Sequence, residues 1–207
     1  MIKDKRLFLF FIWLFVFINS GHSLAQNLDV DILKSINPRY PTSLYWRNTS
    51  NSAYYVAGAA SFGTLIYGFA SNNATIKRNA SETFINLGAS VLITQLIKVG
   101  VNRTRPADRY PDEIFVNSPT HNYSFPSGHT SLAFATATTL SMQYKKWYVT
   151  VPAYAWASSV AYSRMYLGKH YPTDVLAGAA VGIGTSLAGH WFNQKLFKQY
   201  QKPKKYD

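Results

Sequence analysis

Ser163-Arg164-Met165-Tyr166-Leu167-Gly168-Lys169-His170-Tyr171-Pro172-Thr173-Asp174 marks where one apolar segment stops and the next begins. The residues before it, Trp147 to Ser163, carry no charge and read as a helix that Arg164 closes. Pro172 suits the first turn of a helix, because its missing N–H is one of the donors that turn leaves unpaired. Asp174 to Phe192 then returns to Ala, Val, Ile, Leu and Gly. The stretch therefore predicts helix, short loop, helix, with Arg164, His170 and Asp174 gathered at one end. Working outward, Ala53 to Ala70, Thr83 to Lys98 and Thr130 to Tyr144 have the same composition, and no period-two alternation competes with them. Gly178, Gly182 and Ser186 recur at four-residue spacing, a stripe that lets helices approach closely in a membrane or in a soluble bundle. The expected fold is all-α: five core helices, preceded by a weakly amphipathic turn or two from Leu28 to Ile36.

The 207 residues suffice for one domain, and no Pro/Gly/Ser-rich linker or internal repeat divides them. Cysteine is absent, which excludes disulfides and thiolate metal sites. Lys3, Lys5 and Arg6 precede a charge-free run from Leu7 to Ile18, and Ser23-Leu24-Ala25 follows at cleavage spacing. Residues 1–25 thus read as a signal peptide or a first membrane helix, residues 26–194 as the helical domain, and residues 195–207 as a basic tail. The formal charge of +12 is spread over the leader, the motifs below and that tail. No basic helix with interleaved aromatics remains to bind nucleic acid.

Two signals bear on the membrane. The charge-free runs are short: fifteen residues, as from Thr83 to Ile97, reach about 22 Å, less than a hydrocarbon core of about 30 Å. Charge placement points the other way. With alternating helices, Lys77-Arg78, Lys145-Lys146 and the tail fall at the end opposite Arg105, His129 and His170, as the positive-inside rule requires of a cytoplasmic face. Charged residues make up 14% of the chain against roughly 25% in soluble domains. Tyr54, Tyr55, Trp147, Tyr148 and Trp191 sit near segment ends like an interfacial belt. A membrane-embedded bundle is the expectation, in a bacterial-type inner membrane with its motif end facing the periplasm; a soluble periplasmic protein is the alternative.

Three motifs carry chemistry. Lys98-x6-Arg105-Pro106 supplies a point charge and a planar fork for oxygens of an anion. Pro126-Ser127-Gly128-His129 opens a helix whose free N–H groups form an anion site, with Ser127 as a further donor and Gly128 allowing close approach. Ser163-Arg164-x5-His170-x3-Asp174 adds a third cation and a histidine with a carboxylate four residues on. Taken singly these read as a snorkelling lysine, a helix cap and a structural hydrogen bond. Arg103 and Arg109 read as surface residues. His22, His121 and His190 have no partners at metal-ligand spacing, so no metal and no cofactor is expected. Asn48, Asn73, Asn79, Asn102 and Asn122 match a glycosylation triplet by chance.

In order and spacing the motifs resemble the type 2 phosphatidic acid phosphatase superfamily, which includes bacterial acid phosphatases and vanadium haloperoxidases. The resemblance implies a metal-independent phosphatase acting on a phosphate monoester or diphosphate, on a lipid carrier or a small ester. It implies that His170 attacks phosphorus and becomes a phosphohistidine, that Asp174 orients His170, and that His129 protonates the leaving group. Lys98, Arg105, Ser127, Gly128 and Arg164 would bind phosphate. The alternatives are a soluble periplasmic acid phosphatase of broad specificity, using the same residues, and a vanadium-dependent haloperoxidase with vanadate on His170. No protein partner is implied. Asp108, Asp112 and Glu113 lie in the loop that would rim the pocket.

Overall fold

The computed structural model describes residues 22–71, 73–118 and 122–200, and side chains from Leu28 to Lys195. Residues 1–21 of the expected leader, and 201–207 of the expected tail, lie outside the described residues, as does His121. Every regular element among the described residues is helical. α1 spans His22–Ile36, α2 Leu44–Gly58, and α3 Thr64–Ala70, the last two joined by a π-helical turn at Ala59–Gly63. α4 spans Ala74–Val101, the one-turn α5 Pro106–Arg109, α6 Gly128–Tyr144, α7 Trp147–Tyr166 and α8 Pro172–Tyr200.

Helix ends follow side-chain chemistry. Asn73 caps α4 by accepting from the amides of Thr75 and Ile76 at 2.9 and 3.2 Å. Asn102, at φ 52°, stops α4 in the left-handed conformation that asparagine tolerates. Ser43 caps α2, accepting from the Trp46 amide. The core helices expected from Ala53 and from Thr83 therefore begin about nine residues earlier, at Leu44 and Ala74. Polar residues between those points, including Arg47, Lys77, Arg78 and Glu82, had masked the continuation. Helix length therefore exceeds the charge-free run: 28 residues in α4 reach about 42 Å.

α6 is the central helix, packed against α2, α4, α7 and α8. Its buried residues, Thr130 to Ala133 and Ala135 to Thr139, go all the way round the helix, and all but Leu132 are Ala, Ser or Thr. Small side chains let four neighbours come close at once, and their hydroxyls bond across helices. Ser90 pairs with Ser131 at 2.7 Å, Thr94 donates to Ser131 at 2.8 Å, and Thr139 donates to Ser186 at 3.1 Å. On α8 the small-residue stripe faces α6. A Cβ on Gly182 would lie 2.2 Å from the Ser131 carbonyl oxygen, and one on Gly178 2.6 Å from that of Ser127.

The outside of the bundle is apolar. Ile66, Phe69, Leu92, Leu96, Val99, Val151 and Leu176 are exposed on it. Two stretches, Ala74–Arg109 and Pro172–Lys195, are long and apolar enough to cross a bilayer, with 28% and 22% of their most apolar windows buried within the bundle. The core helix of a soluble protein would be mostly buried instead. The apolar exterior and these two stretches suit a bundle embedded in a membrane, and all three motifs lie at one end of it.

Candidate active site

The site begins where α4 ends. Lys98, in its last turn, is buried and donates to the Tyr123 carbonyl at 2.7 Å. The Asn102 amide bonds back to the Lys98 carbonyl at 3.1 Å, and the left-handed turn there sends the chain across the top of the bundle. Arg105 follows, buried and held at three points. Its Nε donates to the Asn122 carbonyl at 2.8 Å, one Nη to the Lys169 carbonyl at 2.6 Å, and the other Nη to the Asn122 side-chain oxygen. The Pro126-Ser127-Gly128-His129 loop is tied to α8 through the Ser127 amide, which donates to the Asp174 carbonyl at 2.9 Å. The buried Ser127 hydroxyl accepts from Thr130 at 2.9 Å. His129, in the first turn of α6, meets the ring of Tyr54 edge-on at 4.5 Å. Arg164, in the last turn of α7, donates to Ser50 of α2 at 2.7 Å, and its buried Nε has no protein partner.

His170 sits in the short loop expected from the sequence. That loop needs Gly168, at φ +67°, because a Cβ there would stand 2.3 Å from the Phe115 carbonyl oxygen. Asn37 locks the loop to the rim, donating to the carbonyls of Phe115 and Tyr166 at 3.0 and 2.8 Å. The His170 ring is buried, with Nε2 3.5 Å from an Arg105 Nη and Nδ1 3.5 Å from Asp174 Oδ2. That second distance exceeds a hydrogen bond, and the geometry gives Nδ1 none among the described residues. Burial, and then the charges of Arg164, Arg105 and Lys98, hold the His170 ring well below its ordinary titration range. It is neutral at neutral pH. The same forces act on Lys169, where burial first and then Arg164, Arg105 and Arg47 bring the ammonium down to about 8. Burial pushes Tyr171 up to about 12.

The structure thus brings Lys98, Arg105, Ser127, Gly128, His129, Arg164, His170 and Asp174 to one end of the bundle. Arg103 requires correction. It is not a surface residue: its guanidinium donates to Asp174 Oδ1 and to Asp29 Oδ2, both at 2.7 Å, and lies 3.8 Å over the Tyr171 ring. Asp29 also accepts from the Thr173 amide at 2.9 Å, which fastens α1 to the start of α8. Asp29 lies outside every motif and 145 positions before Asp174, so no spacing announces it. Asn122 was legible only as a chance triplet, yet it holds Arg105. In the rim, Glu113 pairs with Lys34 of α1.

Known proteins resemble the chain in sequence and in fold. The model of the PAP2 superfamily matches residues 81–198. Lipid A 1-phosphatase of Porphyromonas gingivalis is 42% identical over 36% of this chain and 17% of its own length. Undecaprenyl-diphosphatase of Sulfolobus acidocaldarius is 30% identical over 47% of each. These matches span less than half of the relatives' length. Phosphatidylglycerophosphatase B of Bacillus subtilis aligns over 98% of the chain and 100% of its own length at 28% identity. The crystal structure of Aquifex aeolicus LpxE superposes with a TM-score of 0.64 at 29% identity, covering 79% of this chain and 95% of that one. A transmembrane PAP2-type phosphatidylglycerolphosphate phosphatase from Bacillus subtilis shares the fold at a TM-score of 0.57, over 95% of this chain and 98% of that one. With its matched span covering more than half of its length and its motifs meeting in one pocket, the chain belongs to the PAP2 superfamily.

Proposed function

We propose that the protein is a metal-independent phosphatase that cleaves a phosphate monoester or diphosphate from a lipid, with its pocket on the periplasmic side of a bacterial-type inner membrane. The observation that carries this reading is the meeting of three buried cations, Lys98, Arg105 and Arg164, around the neutral His170 ring. Phosphoryl transfer asks the protein mainly for positioning and for charge on the phosphate oxygens, and those cations supply it. The N–H groups at the start of α6 add donors.

His170 Nε2 attacks phosphorus while the bond to the leaving oxygen breaks. Burial and then the charges of Arg164, Lys169 and Arg105 hold the His129 ring down to about 2, and the substrate's negative charge offsets them, so that His129 binds as an imidazolium and gives that oxygen its proton. The product is a phosphohistidine and a free alcohol or phosphate. Water then attacks the phosphohistidine, His129 takes its proton, and phosphate leaves with His170 restored. Asp174 stabilises the charge that develops on the His170 ring. A lipid is favoured by a groove of about 300 Å³ that leads from Tyr54, beside His129, along Phe62, Phe84, Leu87 and Leu132. A hydrocarbon tail fits its lining. The roles of curated relatives that act on lipid A, on undecaprenyl diphosphate and on phosphatidylglycerophosphate agree with this choice.

The test is phosphate release from a panel of detergent-solubilised lipid phosphates and a small aryl phosphate. Release is expected to survive a chelator, to favour the lipids, and to vanish in His170→Ala. Acid-labile, base-stable label on wild-type protein quenched during turnover marks the phosphohistidine. Activity undiminished in His170→Ala would sink the mechanism.

A further inference from the structure

Arg47 takes no part in gripping the phosphate, yet it lines a cavity of about 450 Å³ that opens beside the grip. Arg47 and Asn51 come from α2, Asn117 and Ser118 from the rim loop, and Arg164 and Lys169 from the end of α7 and the loop after it. Three of these are cations, and among the described residues no carboxylate lines the cavity. The space is of the size of small-ligand sites. It is continuous with the phosphate pocket through two residues. Arg164 forms part of both walls, its buried Nε without a protein partner. Lys169 accepts from Arg105 through its carbonyl at 2.6 Å, while its ammonium donates to Ser118 at 2.8 Å within the cavity wall.

α2 sets the direction. Arg47, Asn51, Tyr54 and Gly58 follow one another at three- and four-residue steps and therefore share a face, and Ser61 follows in the π-helical turn. The first two line the cationic cavity, Tyr54 touches His129, and Tyr54, Gly58 and Ser61 line the apolar groove. One helix face thus runs from a charged chamber past the leaving-group histidine into an apolar channel. An amphiphile whose head bends back over the grip would place its tail in the groove and the anionic group between tail and cleaved phosphate among Arg47 and Lys169. A head with one phosphate uses only the grip formed by Lys98, Arg105 and Arg164.

We propose that this cavity is a second anion subsite, in which Arg47 and Lys169 bind an anionic group of the substrate head other than the phosphate being cleaved. The proposal rests on the lipid phosphatase reading above. Its ligand chemistry is a second phosphate or phosphodiester, and Arg47 is the specificity-determining residue.

The experiment compares two lipids with identical acyl chains in mixed micelles: phosphatidate, with one phosphate, and phosphatidylglycerophosphate, with a phosphodiester and a monoester. Arg47 is exposed, so its replacement leaves the core intact. Arg47→Gln is expected to lower kcat/KM for the two-phosphate lipid about ten-fold, mainly through KM, as loss of one charge-assisted contact would. Phosphatidate should stay within about two-fold of wild type, and Arg47→Lys should recover much of the loss. Equal losses on both lipids, or no loss on the two-phosphate lipid, overturn the subsite. His170→Ala, run on both lipids, separates the questions: activity surviving there defeats the underlying reading, whereas the ratio between lipids in Arg47→Gln concerns the subsite alone.

Discussion

Asp174 divides its carboxylate between partners at unequal distance. Arg103 holds one oxygen at 2.7 Å, the Tyr171 amide holds the other at 3.0 Å, and His170 Nδ1 stands 3.5 Å off. On the mechanism proposed above, Arg103 is a positioning residue that keeps the carboxylate aimed beneath the ring. Arg103→Gln is expected to lower kcat by about 10- to 100-fold with little change in KM, the range found when supporting partners of a site are lost, and Arg103→Lys to restore part of it. Equal changes in kcat and KM would assign it to substrate binding instead. His170 also carries a pH signature. The unfolded histidine titrates near 6.5 and the folded one well below, so in that window only the unfolded chain takes up the proton. Its contribution to stability is complete above pH 6.5 and is lost as the pH falls. Thermal denaturation in detergent should show Tm declining from pH 7 to pH 5, and declining less in His170→Asn. The grip itself was legible from sequence because its cations and histidines occur at motif spacing. Arg103 was not, since an arginine two positions before Arg105 looks like any loop charge until Asp29 and Asp174 are seen on either side of it.

Among the helices, closeness of approach matters more than apolar area. The buried cluster of Ala53, Ala133, Ala137, Ala157 and Val160 is built almost wholly of alanine, and Ser186 reaches the Ala135 carbonyl at 3.1 Å. Gly182 and Gly184 offer a matched test. A methyl at Gly182 would meet the Ser131 carbonyl at 2.2 Å, whereas nothing lies within 4 Å of one at Gly184. Gly182→Ala is expected to destabilise by about 1–3 kcal/mol or more, since backbone must move. Gly184→Ala should be neutral or slightly stabilising, alanine being the better helix former. Melting curves of the two variants in one detergent check this. The number and order of the core helices could be read from composition, and so could the close-packing stripe. Their starts could not, because Asn73 caps a helix whose first turns are polar, and charge-free runs measure apolar length rather than helix length.

At the scale of the whole molecule, chemistry and basic clusters occupy opposite ends. The pocket is formed by the end of α4, the starts of α6 and α8 and the end of α7, and Lys145-Lys146 joins α6 to α7 at the far end. With the pocket facing the periplasm, trypsin should cleave at Lys145-Lys146 in inside-out vesicles and spare it in intact spheroplasts, and the protein should stay in the pellet after an alkaline carbonate wash. Cleavage only from the periplasmic face would reverse the proposed orientation. The ion pairs of Asp29 bear on a different matter, the true extent of the catalytic unit. The recognisable family span starts at residue 81, yet Asp29 steadies Arg103, Ser50 steadies Arg164, and Tyr54 abuts His129, all upstream of that start. A fragment cut to the recognisable span would keep every motif residue and lose one wall of the pocket. Asp29, Ser50 and Tyr54 thus belong to the working site although the matched family span does not contain them.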